Sequence, residues 1–213
     1  MDHIKNIILD YGNVIFMIDF LKAEEAFGSL GIKEFGTLFS HAGQHQLFDD
    51  FDKGIIDAAG FRQGIRDFYQ LPLLKDEEID GAWNALLIGV PQGYHELLLK
   101  LKERYRLFLL SNNNEIHYNY VMNYLQKEFG ISDNTSFFEK DYYSHLMGMR
   151  KPDAEIFEFV LQEHGLEPQE TLFIDDSPQH LLAAAKLGIH TQIMTQPDTL
   201  PDFVNRAGLL REV

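Results

Sequence analysis

The stretch IILDYGNVIF, residues 7–16, decides the fold: an apolar run ends on a carboxylate, Asp10, and meets a glycine two positions later. A short apolar run without polar alternation reads as a strand covered on both faces. Such a strand carries Asp10 to the edge of a sheet, and Gly12 lets backbone approach closely whatever the carboxylate engages.

Working outward, RLFLLS (106–111), TLFIDD (171–176), HTQIM (190–194) and the weaker SFFEKDYYS (136–144) read as further strands. Helical patterns lie between them: PQGYHELLLKLKERY, EIHYNYVMNYLQKEF, PDAEIFEFVLQEHG and SPQHLLAAAKLG. The last two carry Pro near the start and Gly at the close, the usual asymmetry of helix ends. Strands alternating with helices predict an α/β fold, a Rossmann-like parallel sheet flanked by helices.

Residues 18–90 break the alternation. FLKAEEAFGSL, DAAGFRQGIRDFY and KDEEIDGAWNALL read as helices, and no convincing strand falls between them. The simplest organisation is a core of residues 1–17 and 91–213, with an all-helical cap, 18–90, inserted after strand one and set over the carboxyl end of the sheet. FDDFDKG (48–54) lacks the alternating ligand spacing of a Ca²⁺ loop and reads as a solvated segment of that insertion.

Composition limits the partners. The chain has 213 residues, 45% of them hydrophobic, which is enough for a sizeable core. Eighteen basic against 33 acidic residues leave a net charge of −15, which disfavours extended nucleic acid and anionic membrane. Without cysteine there is neither a disulfide framework nor a thiolate metal site. The first apolar run is too short to span a bilayer and MDHIKN lacks a basic signal-peptide start, so a cytoplasmic protein is expected. There is no P-loop, no dinucleotide glycine fingerprint after a strand and no HExxH metal helix.

In open α/β sheets ligands bind beyond the carboxyl ends of the strands. Three of those ends carry chemistry: Asp10, Ser111, and the pair Asp175 and Asp176; Lys151 stands just before a helix start. Singly, each has a plain explanation as turn former, turn hydroxyl or solvated lysine. The acidic pair resists it, because Ser177 and Pro178 already supply a helix cap and first helical residue. Two adjacent carboxylates without a capping task favour a cation.

Four segments in order, ILDYGNVIF, LLSN, GMRKPDAEIF and FIDDSPQHLLAAAKLGI, resemble the motifs of the haloacid dehalogenase (HAD) superfamily. The likeness is closer to its phosphatases with a helical cap, the group of α-D-glucose-1-phosphate phosphatase. That resemblance implies a Mg²⁺-dependent phosphatase acting on a small phosphorylated metabolite, preferably a sugar phosphate. Asp10 is then the nucleophile that forms an aspartyl phosphate. The Asp10 carboxylate, the Gly12 carbonyl, Asp175 and Asp176 are implied around Mg²⁺, and Gly12, Ser111, Asn112 and Lys151 around the phosphoryl oxygens. The implied partner is a metabolite, with neither nucleic acid nor membrane, and no motif speaks to oligomeric state.

The chain departs from the pattern at one position. Most family phosphatases place a second Asp two residues after the nucleophile as acid and base, and here that residue is Gly12. Asn13 cannot titrate. His41, His45 and His117 are candidate substitutes, each also readable as a surface or packing histidine. Two other readings remain: a 2-haloacid dehalogenase, disfavoured by the acidic pair, and a non-catalytic binding module, disfavoured by Asp10, Ser111, Lys151 and Asp175 together.

Overall fold

A computed structural model describes residues 3–33, 35 and 46–211. Strand β1 (Asn6–Leu9) lies at the centre of the sheet. A short β2 (Met17–Ile18) follows and pairs antiparallel with β3 (Leu87–Gly89). Between this pair stand helices α1 (Phe20–Ser29), α2 (Gln46–Asp52), α3 (Ala58–Tyr69) and α4 (Asp76–Asn84). The stretch from 18 to 90 is therefore not purely helical: Ile18 and Leu87–Gly89 form a ribbon where the chain leaves the sheet and returns. Strands of two and three residues are too short to show a period in sequence.

The chain then alternates as expected, through α5 (Tyr94–Lys102), β4 (Arg106–Ser111), α6 (Glu115–Phe129), β5 (Lys140–Tyr143), a single turn α7 (Ser144–Met147), α8 (Ala154–His164), β6 (Thr171–Asp175), α9 (Pro178–Lys186), β7 (His190–Ile193) and α10 (Leu200–Ala207). The five-stranded sheet runs β5-β4-β1-β6-β7 with every pairing parallel. Leu9 pairs with Leu109 on one side and Ile174 on the other, so the next residues, Asp10 and Asp175, arrive level with each other.

Strand alternation sends β1 into two cores. Ile7 and Leu9 pack with Leu98, Val121 and Leu125 on one face, while Ile8 meets Phe108, Phe157 and Val160 on the other. A third cluster, around Phe27, Phe48, Phe61 and Trp83, holds the helices of the insertion together. Because this cluster is separate, truncating fully buried Phe61 to alanine would cost about 3–5 kcal/mol within the insertion.

FDDFDKG is the clearest departure from expectation. Most of it is the amphipathic helix α2, whose Phe48 and Phe51 are buried in the third cluster, and Asp52 is buried too. Its carboxyl end sits on the loop before Lys151. Lys53 pairs with Asp153 at 2.8 Å, and Arg150 with Asp49. Gly54 has a φ of 65° and a Cβ there would lie 2.2 Å from the His145 carbonyl oxygen, so both conformation and space require glycine.

Candidate active site

At the carboxyl edge of the sheet, Lys151 is wholly buried and its Nζ donates to Asp10 Oδ1 and to Asp175 Oδ2, each at 2.7 Å. The loop is held there by Asn112: its Nδ2 donates to the Lys151 carbonyl at 2.8 Å, and the Lys151 N–H donates to its Oδ1 at 2.9 Å. The Asn112 side chain thus positions Lys151. Ser111 ends β4, buried beside Asp10, with its Oγ donating to the Asn112 carbonyl at 3.3 Å.

Asp175 is enclosed. Its Oδ1 accepts from the Ser177 N–H at 2.7 Å and from His180 Nδ1 at 2.9 Å. Ser177 and Pro178 stand at the cap and first position of α9 as expected, but the Ser177 side chain makes no cap bond and its N–H is taken by Asp175. Asp176 is held by Asn13, whose Nδ2 donates to its Oδ2 at 3.0 Å and whose Oδ1 accepts from the Ile18 N–H at 3.1 Å. Asn13 adopts φ 55°, a left-handed conformation that asparagine tolerates well. Gly12 has no such need: a Cβ on it would meet the tip of Ile18 at 3.2 Å and lie 3.9 Å from Asp10 Oδ2. The left-handed turn after Asp10 therefore belongs to Asn13, not to the glycine.

Asp10, Asp175 and Asp176 offer carboxylate oxygens that all lie within 4.8 Å of one another. Burial pushes Asp10 up to about 8, Lys151 opposes this, and Asp175 and Asp176 add to it. Burial works in the same direction on Asp175, but Lys151 and His180 outweigh it and hold that carboxyl well below the usual range. Burial also lowers the His180 pKa, against the pull of the Asp175 carboxylate it bonds. Three carboxylates against one ammonium leave an excess of negative charge that a divalent cation cancels. The all-oxygen donor set suits Mg²⁺, a hard cation.

Above this floor lies a cavity of about 150 Å³. Asp10, Gly12, Ser111, Asn112 and Asp176 line it from the sheet; Phe20, Asp52, Trp83 and Leu86 line it from the insertion. Lys151 and Asp175 lie beneath the lining, reached only through the groups they bond.

The substitute acids fare differently. His41 and His45 lie outside the described residues. His117 is a half-buried bridge in the cavity wall: Nε2 meets the Trp83 carbonyl at 3.1 Å, Nδ1 meets Asn114 Nδ2 at 3.3 Å, and the ring stacks on Trp83 at 4.4 Å. Burial lowers its pKa to about 4, against the Trp83 carbonyl, so it is neutral near pH 7 with both ring nitrogens engaged. Sequence reading passed over Asp52, Arg150 and His180, which line the cavity, and weighed Asn13 only as a titrating group.

Comparison with known proteins agrees with this geometry. Residues 4–188 match the family model of haloacid dehalogenase-like hydrolases. D-ribitol-5-phosphate phosphatase of Bacteroides thetaiotaomicron is 32% identical over 203 residues, covering 94% of this chain and 95% of that protein. A HAD family enzyme from the same organism, solved as an aspartate-to-alanine mutant with magnesium and inorganic phosphate, superposes with a TM-score of 0.85 at 36% identity, over 92% of this chain and 96% of that one. A HAD-like family hydrolase of Porphyromonas gingivalis superposes with a TM-score of 0.84 at 28% identity, over 99% of this chain and 100% of that one.

Proposed function

We propose, for a chain that belongs to the haloacid dehalogenase-like hydrolase family, that it is a Mg²⁺-dependent phosphatase of a small phosphomonoester, a sugar or polyol phosphate. One observation carries this reading: Asp10, Ser111, Lys151, Asp175 and Asp176, far apart in sequence, meet at the floor of a single cavity. In this reading residues 1–17 and 91–213 form the catalytic core and 18–90 the cap. The ribitol phosphate specificity of the relative supports the substrate class.

Asp10 attacks phosphorus, the bond to the leaving oxygen breaks, and an aspartyl phosphate forms; water then attacks that phosphorus and Asp10 is regenerated. Asp10, Asp175, Asp176 and the Gly12 carbonyl would hold Mg²⁺, which supplies charge neutralisation for the phosphoryl oxygens. Lys151 keeps Asp10 aligned and offsets its charge; Ser111 and the Asn112 backbone donate to the phosphoryl group. The cap residues exclude bulk water and enclose the leaving group. With Gly12 in place of the usual acid, the leaving oxygen departs with less protonation, which favours acidic alcohols.

A screen of phosphorylated metabolites for phosphate release, with and without Mg²⁺, tests the reading. Metal-independent halide release from a 2-haloacid would favour the dehalogenase alternative, and the carboxylate cluster argues against it because it would repel such an anion.

A further inference from the structure

The cap side of the cavity carries its own charge pattern. Asp52 is the last residue of α2, 8% exposed, and lines the same cavity as Asp10. Asn114, the N-cap residue of α6, donates to its Oδ1 at 3.4 Å, and the Arg150 guanidinium lies 3.8 Å from its Oδ2. Arg150 is also claimed by Asp49, so its guanidinium is shared between two carboxylates. Among the described residues, the remaining cap lining, Ile18, Phe20, Trp83, Leu86 and Leu87, carries no charge.

From this arrangement we infer that Asp52 is a specificity-determining residue: it selects a leaving group whose far end carries neutral hydroxyls and rejects one whose far end is anionic. The inference rests on the phosphomonoesterase reading. A carboxylate in a confined site accepts hydrogen bonds from alcohol hydroxyls, which are donors as well as acceptors. A second carboxylate or phosphate can offer it none and repels it in a low-dielectric space. Rejection of the wrong charge then contributes as much to selectivity as attraction of the right hydroxyl.

A matched pair of substrates isolates the effect: ribitol 5-phosphate and ribonate 5-phosphate share the same chain and differ only in a terminal CH₂OH or carboxylate. The expected ratio of kcat/KM is about 100-fold or more in favour of ribitol 5-phosphate for the natural protein. Asp52→Asn, nearly isosteric, should bring it below about tenfold, whereas Arg150→Gln should raise it further, because the carboxylates then act without their cation. Opposite signs separate selection from a structural role, since loss of either partner would loosen the cap in the same way. An unchanged ratio in Asp52→Asn, or a shift of the same sign in both variants, would overturn the inference. If Asp52→Asn does not fold, the direction of the Arg150→Gln shift decides, a fall in the ratio being contrary. Phosphate release absent from every phosphomonoester tested would instead overturn the phosphatase reading on which the inference rests.

Discussion

Lys151 Nζ lies 2.7 Å from Asp10 Oδ1 with the lysine fully buried, and the same ammonium lies 2.7 Å from Asp175. A cation so placed does two tasks: it makes buried carboxylates tolerable and fixes the orientation of Asp10. Lys151→Met should therefore abolish turnover and destabilise the fold by roughly 3–5 kcal/mol, the usual cost of leaving a buried charge without its partner. Denaturant unfolding with and without Mg²⁺ checks this. The metal should recover part of the loss in the variant, because it binds the same carboxylates.

Asn13 spans from the Ile18 backbone to Asp176, so it should set the metal site without touching the metal. Asn13→Gly keeps the left-handed turn and removes only the amide. The Mg²⁺ concentration for half-maximal activity should rise about 10-fold or more. Calorimetric titration with Mg²⁺ should show the same weakening in the absence of substrate.

His117 makes stability depend on pH. Its folded pKa, about 4, is lowered from 6.5 by burial, so the unfolded chain binds the proton more readily. The contribution is fully present above pH 6.5 and is lost as pH falls through about 4. The loss amounts to roughly 3 kcal/mol. In His117→Phe, which preserves the packing on Trp83, stability should fall at pH 7 and vary less between pH 7 and 4. An identical pH profile in both proteins would mean that other groups produce the slope.

Gly12 is where chemistry departs most from the family pattern. With no carboxyl at that position to protonate the departing oxygen, the rate across aryl phosphates should depend steeply on leaving-group acidity. A new Cβ would meet the flexible tip of Ile18 at 3.2 Å and Asp10 Oδ2 at 3.9 Å, neither of them backbone, so Gly12→Asp should fold, and it should flatten the dependence. A flat dependence in the natural protein would show that another residue supplies the proton.

Much of this was legible before any coordinates. The apolar run into Asp10 marked the central strand, and the long period of 115–129 marked α6 to the residue. Asp52 escaped because the acids of FDDFDKG were tested for ligand spacing, whereas the three-residue interval between Phe48 and Phe51 was the true signal of a buried helix. Asn13 escaped because its contribution lies in a left-handed backbone and an amide reaching across the chain to Asp176, neither of which has a sequence period. His180 escaped because it was read only as part of a helix pattern; its place in the first turn of α9 directs it back at Asp175. The β2–β3 ribbon rests on long-range pairing of very short segments, which local pattern cannot reveal.

The most direct test of the central claim is the fate of Asp10. Asp10→Asn preserves shape and removes the nucleophile, so phosphate release in the presence of Mg²⁺, from a sugar or aryl phosphate that the natural protein cleaves, should fall by at least about 10³-fold. The natural protein, quenched in acid during turnover, should carry a phosphoryl group on the peptide containing Asp10. Retention of a tenth of the natural rate in Asp10→Asn, with no phosphoryl group on that peptide in the natural protein, would contradict covalent catalysis by Asp10.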